Sequence, residues 1–232
     1  MTNVDAAKSD VRKRVWDLLE RENAAPPGVH GHIPTFEGAE TAADRLAELD
    51  VWKDARVVKV VPDDAQLPVR NLALAQNKLV YMAVPKLAEP KPYYQLEPPD
   101  SNRRGACAPL VGIDEMEPVD LIVCGSVAVS PNGARLGKGA GYSDIEVALL
   151  QEGGLIRPHT ALITTVHPLQ ILDEQLPETS HDFRVNLIVT PDQVIDCGWT
   201  RPDTTLNWDQ LAPAKIAAIP TLQAMHTKRR AP

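Results

Sequence analysis

Between Arg135 and Asp144 the chain reads Arg-Leu-Gly-Lys-Gly-Ala-Gly-Tyr-Ser-Asp, with Gly137, Gly139 and Gly141 at alternate positions. Glycine reaches positive φ without steric penalty and lets the backbone come close to a ligand. Such a run can aim successive N–H groups at one point. A helix starting directly after it adds its dipole, which favours an anion there. Phosphate is the ligand this chemistry suits. Arg135 and Lys138 would add positive charge, and Asp144 offers hard oxygens for a magnesium ion shared with the phosphates. The plain alternative is a tight strand-to-helix turn that holds nothing. Two familiar phosphate loops are excluded, because the chain has no GxxxxGK[ST] and the spacing here is GxGxG, not GxGxxG.

The elements that must position this turn follow from hydrophobic pattern and punctuation. Val119–Val129 is almost wholly apolar, as a strand covered on both faces should be, and the turn leads from it to a helix over Ser143–Gln151. Further strands are expected at Arg56–Val61, Leu79–Val84, Ala161–Val166 and Val185–Val189, with a helix over Pro68–Gln76. Upstream, Ser9 is placed to cap a helix running to Glu20, with Val11, Val15, Leu18 and Leu19 on one face and Lys8, Arg12, Lys13 and Asp17 opposite. A loop follows over Asn23–Phe36, then a second helix whose Thr41 and Asp44 have capping-box spacing. Pro85–Pro109 reads as one long irregular stretch, and loops of that length are usually functional or mobile. Strands alternating with helices imply an α/β domain: an open, mostly parallel sheet with helices on both faces. The expected division is an α/β domain over 1–198 and a helical or flexible appendage over 199–232, broken at Pro213 and Pro220.

Composition bounds the function. At 232 residues and 44% hydrophobic, the chain fits one sizeable core. A net charge of -7 argues against nucleic acid as a partner, the short Lys228-Arg229-Arg230 cluster notwithstanding. No apolar run approaches the roughly 20 residues of a membrane span, and the first residues lack the apolar core of a secretory signal. Cys107, Cys124 and Cys197 are odd in number and widely spaced, which disfavours zinc or a disulfide framework and favours a cytoplasmic setting. Oligomeric state is left open.

The run Asp120–Asp144 (DLIVCGSVAVSPNGARLGKGAGYSD) resembles the signature of the 5-formyltetrahydrofolate cyclo-ligase family, in which a strand and a small-residue turn precede RLGxGxGYYDR. A second block fits too: Gln170, Pro177, His181 and Asp182, then a strand ending at Val189-Thr190-Pro191. Lys8 and Arg12 match the family's Lys-x-x-x-Arg on the first helix. The resemblance covers about Lys8 to Val194 and, by its GSVAV and GKGxGYxD, is nearest the methenyltetrahydrofolate synthetase domain-containing subgroup.

The resemblance implies a Rossmann-like cyclo-ligase fold, with ATP and Mg²⁺ as cofactors. It also implies conversion of 5-formyltetrahydrofolate to the 5,10-methenyl form with ATP hydrolysis. In that reaction the formyl oxygen would attack the γ-phosphate, which requires positioning and charge neutralisation above all. Lys8 and Arg12 would contact the phosphates of ATP, although by charge alone they read as a solvated helix face. Gly137, Gly139, Gly141 and Tyr142 would form the cradle. Asp144 and Asp182 would hold Mg²⁺, His181-Asp182 reading otherwise as a turn cap. Tyr93 and Tyr94 are candidates to stack on the substrate, a folate or another phosphorylated or heterocyclic metabolite. Two residues depart from the family: Ser143 stands in place of tyrosine and Ile145 in place of arginine. A second reading is therefore a paralogue that binds a nucleotide or other phosphorylated small molecule without the cyclo-ligase reaction.

Overall fold

The computed structural model describes residues 3–97, 108–198 and 206–230. Its centre is an eight-stranded sheet. The central strands are β1 (Val57–Val60), β2 (Leu79–Ala83), β5 (Val119–Cys124), β8 (Ile156–Thr165) and β9 (Leu187–Val189), all mutually parallel. Three further strands join by antiparallel pairing: β3 (Tyr93–Leu96) on β2 and β4 (Leu110–Val111) on β3, and β10 (Val194–Asp196) on β9. The order is β10-β9-β8-β5-β1-β2-β3-β4. Chain direction across the sheet reverses between β1 and β5, since β1 leads outward to β2 while β5 leads the other way to β8. A crevice forms at such a switch point beyond the carboxyl ends of the strands, where α/β folds bind ligands.

Alternation along β1 shows how the sheet is covered. Val58 and Val60 pack with α2 (Ala39–Ala47) and α4 (Leu67–Ala75) through Ala43, Leu46, Val69 and Ala73. Val57 and Val61 face α5 (Tyr142–Glu152), packing with Val147, Ala148 and Leu149. Lys59 faces the same way as Val57 and forms a buried ion pair with Glu146 of α5. A third cluster joins α1 (Asn3–Arg21) to the segment after it and to the hairpin β6 (Ala128–Val129)–β7 (Arg135–Leu136), with Val15, Leu19, Val29 and Ala134 at its centre.

Several boundaries differ from the sequence reading. The first helix starts at Asn3, so Ser9 lies inside it and caps nothing. The second starts at Ala39 behind Gly38, whose φ of 84° no capping side chain accompanies, and Thr41 is a helix interior residue. The apolar run from Val119 is not one strand. It leaves the sheet after Cys124, turns through Gly125-Ser126, and resumes as β6 in the separate hairpin. Pro85–Pro109 is not one irregular loop either, because β3 lies within it; Pro98, Pro99 and Cys107 fall outside the described residues. Pro213 and Pro220 do not break helices but open them, as first residues of α6 (Pro213–Ala218) and α7 (Pro220–Arg230). Leu206, Ile219 and Leu222 bury this C-terminal segment in the core cluster that contains α5. Among the described residues, no helix is long and apolar enough to cross a membrane.

Candidate functional site

The hairpin β6–β7 decides where the glycine run sits. Gln170 pins the turn after β5 from one side, its amide donating to Ser126 O at 2.7 Å and Val127 O at 3.2 Å. Arg135, the first residue of β7, pins it from the other, with Nη2 donating to Gly125 O at 2.9 Å and Nε to Ser126 Oγ at 3.3 Å. Its guanidinium also lies 4.5 Å from the Phe183 ring centroid and 3.6 Å from Asp144. Arg135 is 4% exposed, so its donors are spent on the loop and on Asp144. Its role here is to position the turn and Asp144, more than to offer a free charge to a ligand.

From β7 the chain swings through Gly137–Gly141 into α5. Gly139 has φ 100° and Gly141, the N-cap, φ 70°; no side chain caps the helix. The first-turn N–H groups of α5 therefore receive no acceptor from an N-cap side chain, an arrangement that suits an anion.

Helix α1 closes the opposite wall. Arg12 donates from Nε to Gly137 O at 2.6 Å, which ties the helix to the cradle. Burial lowers the Arg12 pKa, with Asp182 pulling the other way. The Lys8 ammonium lies 2.5 Å from Asp182 Oδ2. Burial alone would raise the Asp182 pKa, yet hydrogen bonds from Lys8 and from the Thr179 backbone and hydroxyl outweigh it, holding the carboxyl below its usual value. Lys8 is 7% exposed, so it is not part of a solvated helix face.

One cleft of about 480 Å³ gathers Lys8, Arg12, Arg135, Gly137, Lys138, Gly139, Gly141, Tyr142, Asp144 and Asp182. It lies at the carboxyl ends of β1 and β5, where the topology reverses. The two tyrosines part company. Tyr94 lines an adjoining cleft of about 400 Å³ with Val29, Met82 and Pro85. Tyr93 does not: it is fully buried against the face that α5 covers, and burial pushes its hydroxyl pKa well up. Adjacent strand residues point to opposite faces, so the pair could not have served together.

Asp5, Asp63 and Lys215 of the site escaped the sequence reading. Asp63, just after β1, takes Lys138 Nζ at 2.8 Å and stands on the wall shared by both clefts. An acidic residue at the carboxyl end of a parallel strand was the available signal. Lys215 lies in the expected appendage, yet its Nζ donates to Ala140 O at 2.7 Å and sits 3.4 Å from the Tyr142 ring centroid.

The donor set suits Mg²⁺ carried on phosphates. Among the described residues no cluster of three or more His, Cys, Asp or Glu forms a metal cage. Mg²⁺ on a nucleotide needs only one or two carboxylates, phosphates and water supplying the rest. Asp144 and Asp182 meet that requirement. This cleft is also formally neutral, four cations (Lys8, Arg12, Arg135, Lys138) facing four carboxylates (Asp5, Asp63, Asp144, Asp182).

Comparison with known proteins places the chain by family and fold. A profile of the 5-formyltetrahydrofolate cyclo-ligase family matches residues 4–191. The methenyltetrahydrofolate synthase domain-containing protein of Mus musculus is 34% identical over 247 residues, covering 99% of the chain and 66% of that protein. Its Homo sapiens counterpart is 34% identical over 244 residues, with 98% and 63% covered. The chain thus spans just under two thirds of the length of these relatives. A solved 5,10-methenyltetrahydrofolate synthetase from Aquifex aeolicus shares the fold, at TM-score 0.57 and 23% identity, covering 88% of this chain and 99% of that one.

Proposed function

The chain belongs to the 5-formyltetrahydrofolate cyclo-ligase family, and on that premise we propose that it binds Mg-ATP in the cleft between α1 and the glycine turn and directs it to a folate. The observation that carries this reading is the convergence of ten phosphate- and metal-competent residues from three separate stretches of chain on one cleft at the sheet's switch point. Phosphate oxygens would lie on the α5 N-terminus and the turn backbone, with Lys8, Arg12 and Lys138 around them. Bound at Asp144 and Asp182, Mg²⁺ would neutralise phosphate charge, which the formally neutral cleft cannot do alone. The folate ring system would occupy the adjoining cleft beside Tyr94. Lys138, on the wall common to both clefts, is placed to hold the transferring phosphoryl group while the substrate oxygen approaches.

One observation favours the second reading, a nucleotide-binding paralogue without the reaction. Ile145, where the family carries arginine, is 7% exposed and packs in the core cluster that contains α5, so this position supplies no positive charge to a phosphate. Loss of such a cation can reduce phosphoryl-transfer rates by several powers of ten. The test is a spectrophotometric assay of 5,10-methenyltetrahydrofolate formation from 5-formyltetrahydrofolate and Mg-ATP, run beside ATP titration calorimetry. We expect clear ATP binding with slow or no turnover. Turnover of roughly 1 s⁻¹ or more establishes the ligase. A flat trace with ATP bound leaves the paralogue, and absence of ATP binding removes the ligase and confines the paralogue to another phosphorylated small molecule.

A further inference from the structure

On the far side of the cradle from Lys138 is a third compartment, a slot of about 210 Å³ between α5 and residues 206–215. It shares Gly141, Asp144 and His181 with the cleft described above, so the two compartments adjoin at the Gly141 end of the turn. Ile145 and Ala148 of α5 form one apolar side, and Leu206 and Leu211 contribute the other. The rim is different chemistry: the side-chain amides of Asn207 and Gln210, with His181 beside them.

The C-terminal wall of this slot is fastened down at several points. Leu206 N donates to Glu152 Oε1 at 2.9 Å, at the end of α5. A His181 ring nitrogen lies 3.2 Å from Gln210 Oε1. Lys215 holds the Ala140 carbonyl and the Tyr142 ring, and Ile219 behind it is fully buried. The wall itself, from Leu206 to Ile219, lies beyond residue 191, where the match to the family ends.

We infer that this slot receives the heterocyclic base of the nucleotide whose phosphates rest on the cradle, so the C-terminal segment completes the ATP site. A narrow space with two apolar faces accepts a flat aromatic ring. Amides at its edge present both donors and acceptors, the groups that read the edge of a base. Position supplies the rest of the argument. The acceptor cleft opens at the Lys138 end of the cradle and the slot at the Gly141 end. A nucleotide with its base in the slot thus runs its phosphate chain along the glycine turn and delivers the terminal phosphate to Lys138 and Asp63, at the door of the acceptor cleft. The reverse orientation would bring the base to the acceptor cleft and the reacting phosphate to an apolar slot. Lys215 stands at the joint between base and phosphates. Its contacts are a carbonyl and an aromatic face, and among the described residues it joins no ion pair.

This inference rests on the proposed ATP binding, and the experiment separates the two. Mg²⁺-loaded ATP and Mg²⁺-loaded inorganic tripolyphosphate are titrated calorimetrically into the full chain and into two variants. Leu211→Trp fills the slot from its partly exposed wall, and Gln210→Ala removes an exposed rim amide. The unaltered chain should bind ATP at least tenfold more tightly than tripolyphosphate. Leu211→Trp should erase most of that difference while leaving tripolyphosphate affinity unchanged, and Gln210→Ala should narrow it several-fold with no change in melting temperature. Equal affinity for both ligands in the unaltered chain, or variants that keep its preference for ATP, would overturn the base slot and leave the cradle standing. Equal weakening of both ligands in both variants would likewise overturn it, assigning the segment a purely structural role. Binding of neither ligand by the unaltered chain would overturn the ATP reading and the slot together.

Discussion

Replacement of Gly139 by alanine tests the cradle at the point where backbone geometry leaves least room. Gly139 has φ 100°, and a Cβ there would lie 3.3 Å from Arg12 Nη1 and 3.4 Å from Arg12 Cζ. A left-handed conformation costs an L-residue about 1–2 kcal/mol. The residue is exposed, so in the free protein the variant loop relaxes to negative φ and global stability changes little. Phosphate binding requires the original geometry, and the strain then subtracts from the binding free energy. One to two kcal/mol corresponds to about 5- to 30-fold weaker binding of Mg-ATP. Valine adds a branched side chain against Arg12, for about 1–3 kcal/mol more. Gly154→Ala is the control. Gly154 has φ 68° with nothing within 4 Å of the added Cβ, and it follows α5 at the end away from the cleft. Its strain should appear as a lower melting temperature, about 2–4 °C per kcal/mol for a chain of this size, with ATP affinity unchanged. Calorimetric titration and thermal unfolding of the three variants decide the matter. If Gly139→Ala binds ATP as the unaltered chain does, or Gly154→Ala weakens it equally, the glycine turn is not a phosphate cradle.

Asp144→Asn keeps shape but removes charge, so ATP affinity should lose much of its magnesium dependence; an unchanged response to added Mg²⁺ in a titration series assigns Asp144 to structure alone. Lys59→Met strands the Glu146 carboxylate beneath α5 and should cost about 3–5 kcal/mol in urea unfolding, while Lys59→Met/Glu146→Leu should recover most of the loss. Equal stability of single and double variants would mean that the pair is not coupled. Burial raises the pKa of the Cys197 thiol to about 11 and also raises those of the Cys124 thiol and the Tyr93 phenol, so the fold favours their neutral forms. The unfolded chain ionises its thiols from about pH 8.5 upward, and this part of the stability is complete below that pH and lost as pH rises toward the folded values. Denaturant unfolding under reducing conditions should show a decline between about pH 8.5 and 11 that Cys197→Ser reduces; parallel curves for both proteins would contradict it.

What the sequence made legible is what a local pattern can carry. The parallel sheet with helices on both faces followed from alternation of strand and helix, because each pattern reports the face it buries. The glycine turn was legible because its chemistry is contiguous. Boundaries failed where the backbone chose a course that composition does not encode. Val119–Val129 is uniformly apolar, yet the chain leaves the sheet at Gly125, because Gln170 and Arg135, both distant in sequence, capture the carbonyls of 125–127. Tyr93 and Tyr94 looked alike as polar aromatics in a proline-rich stretch, and only their placement on β3 sent one into the core and left the other on a cleft.

Charges were the least legible feature, and the reason is physical. A sequence shows that a lysine or arginine exists but not what has already claimed it. Lys8 is held by Asp182 and Arg12 by the Gly137 carbonyl, while Arg135 is committed to Asp144 and the turn after β5. Each therefore acts on a ligand partly through the group it positions. Lys138 is the cleft cation with the most solvent, and its partner Asp63 is itself at the boundary of the acceptor cleft. A phosphate arriving there must compete with one carboxylate for one exposed ammonium, an exchange that surface ion pairs permit at little cost. At Lys8 the same exchange would strip a buried carboxylate of its partner, unless a divalent cation replaced it. The arrangement thus gives like charges different surroundings: Lys138 shares solvent with one carboxylate, whereas Lys8 holds Asp182 below its usual carboxyl pKa and Arg135 positions Asp144, so on the proposed reading Lys138 would follow the terminal phosphate and the two aspartates would face the metal.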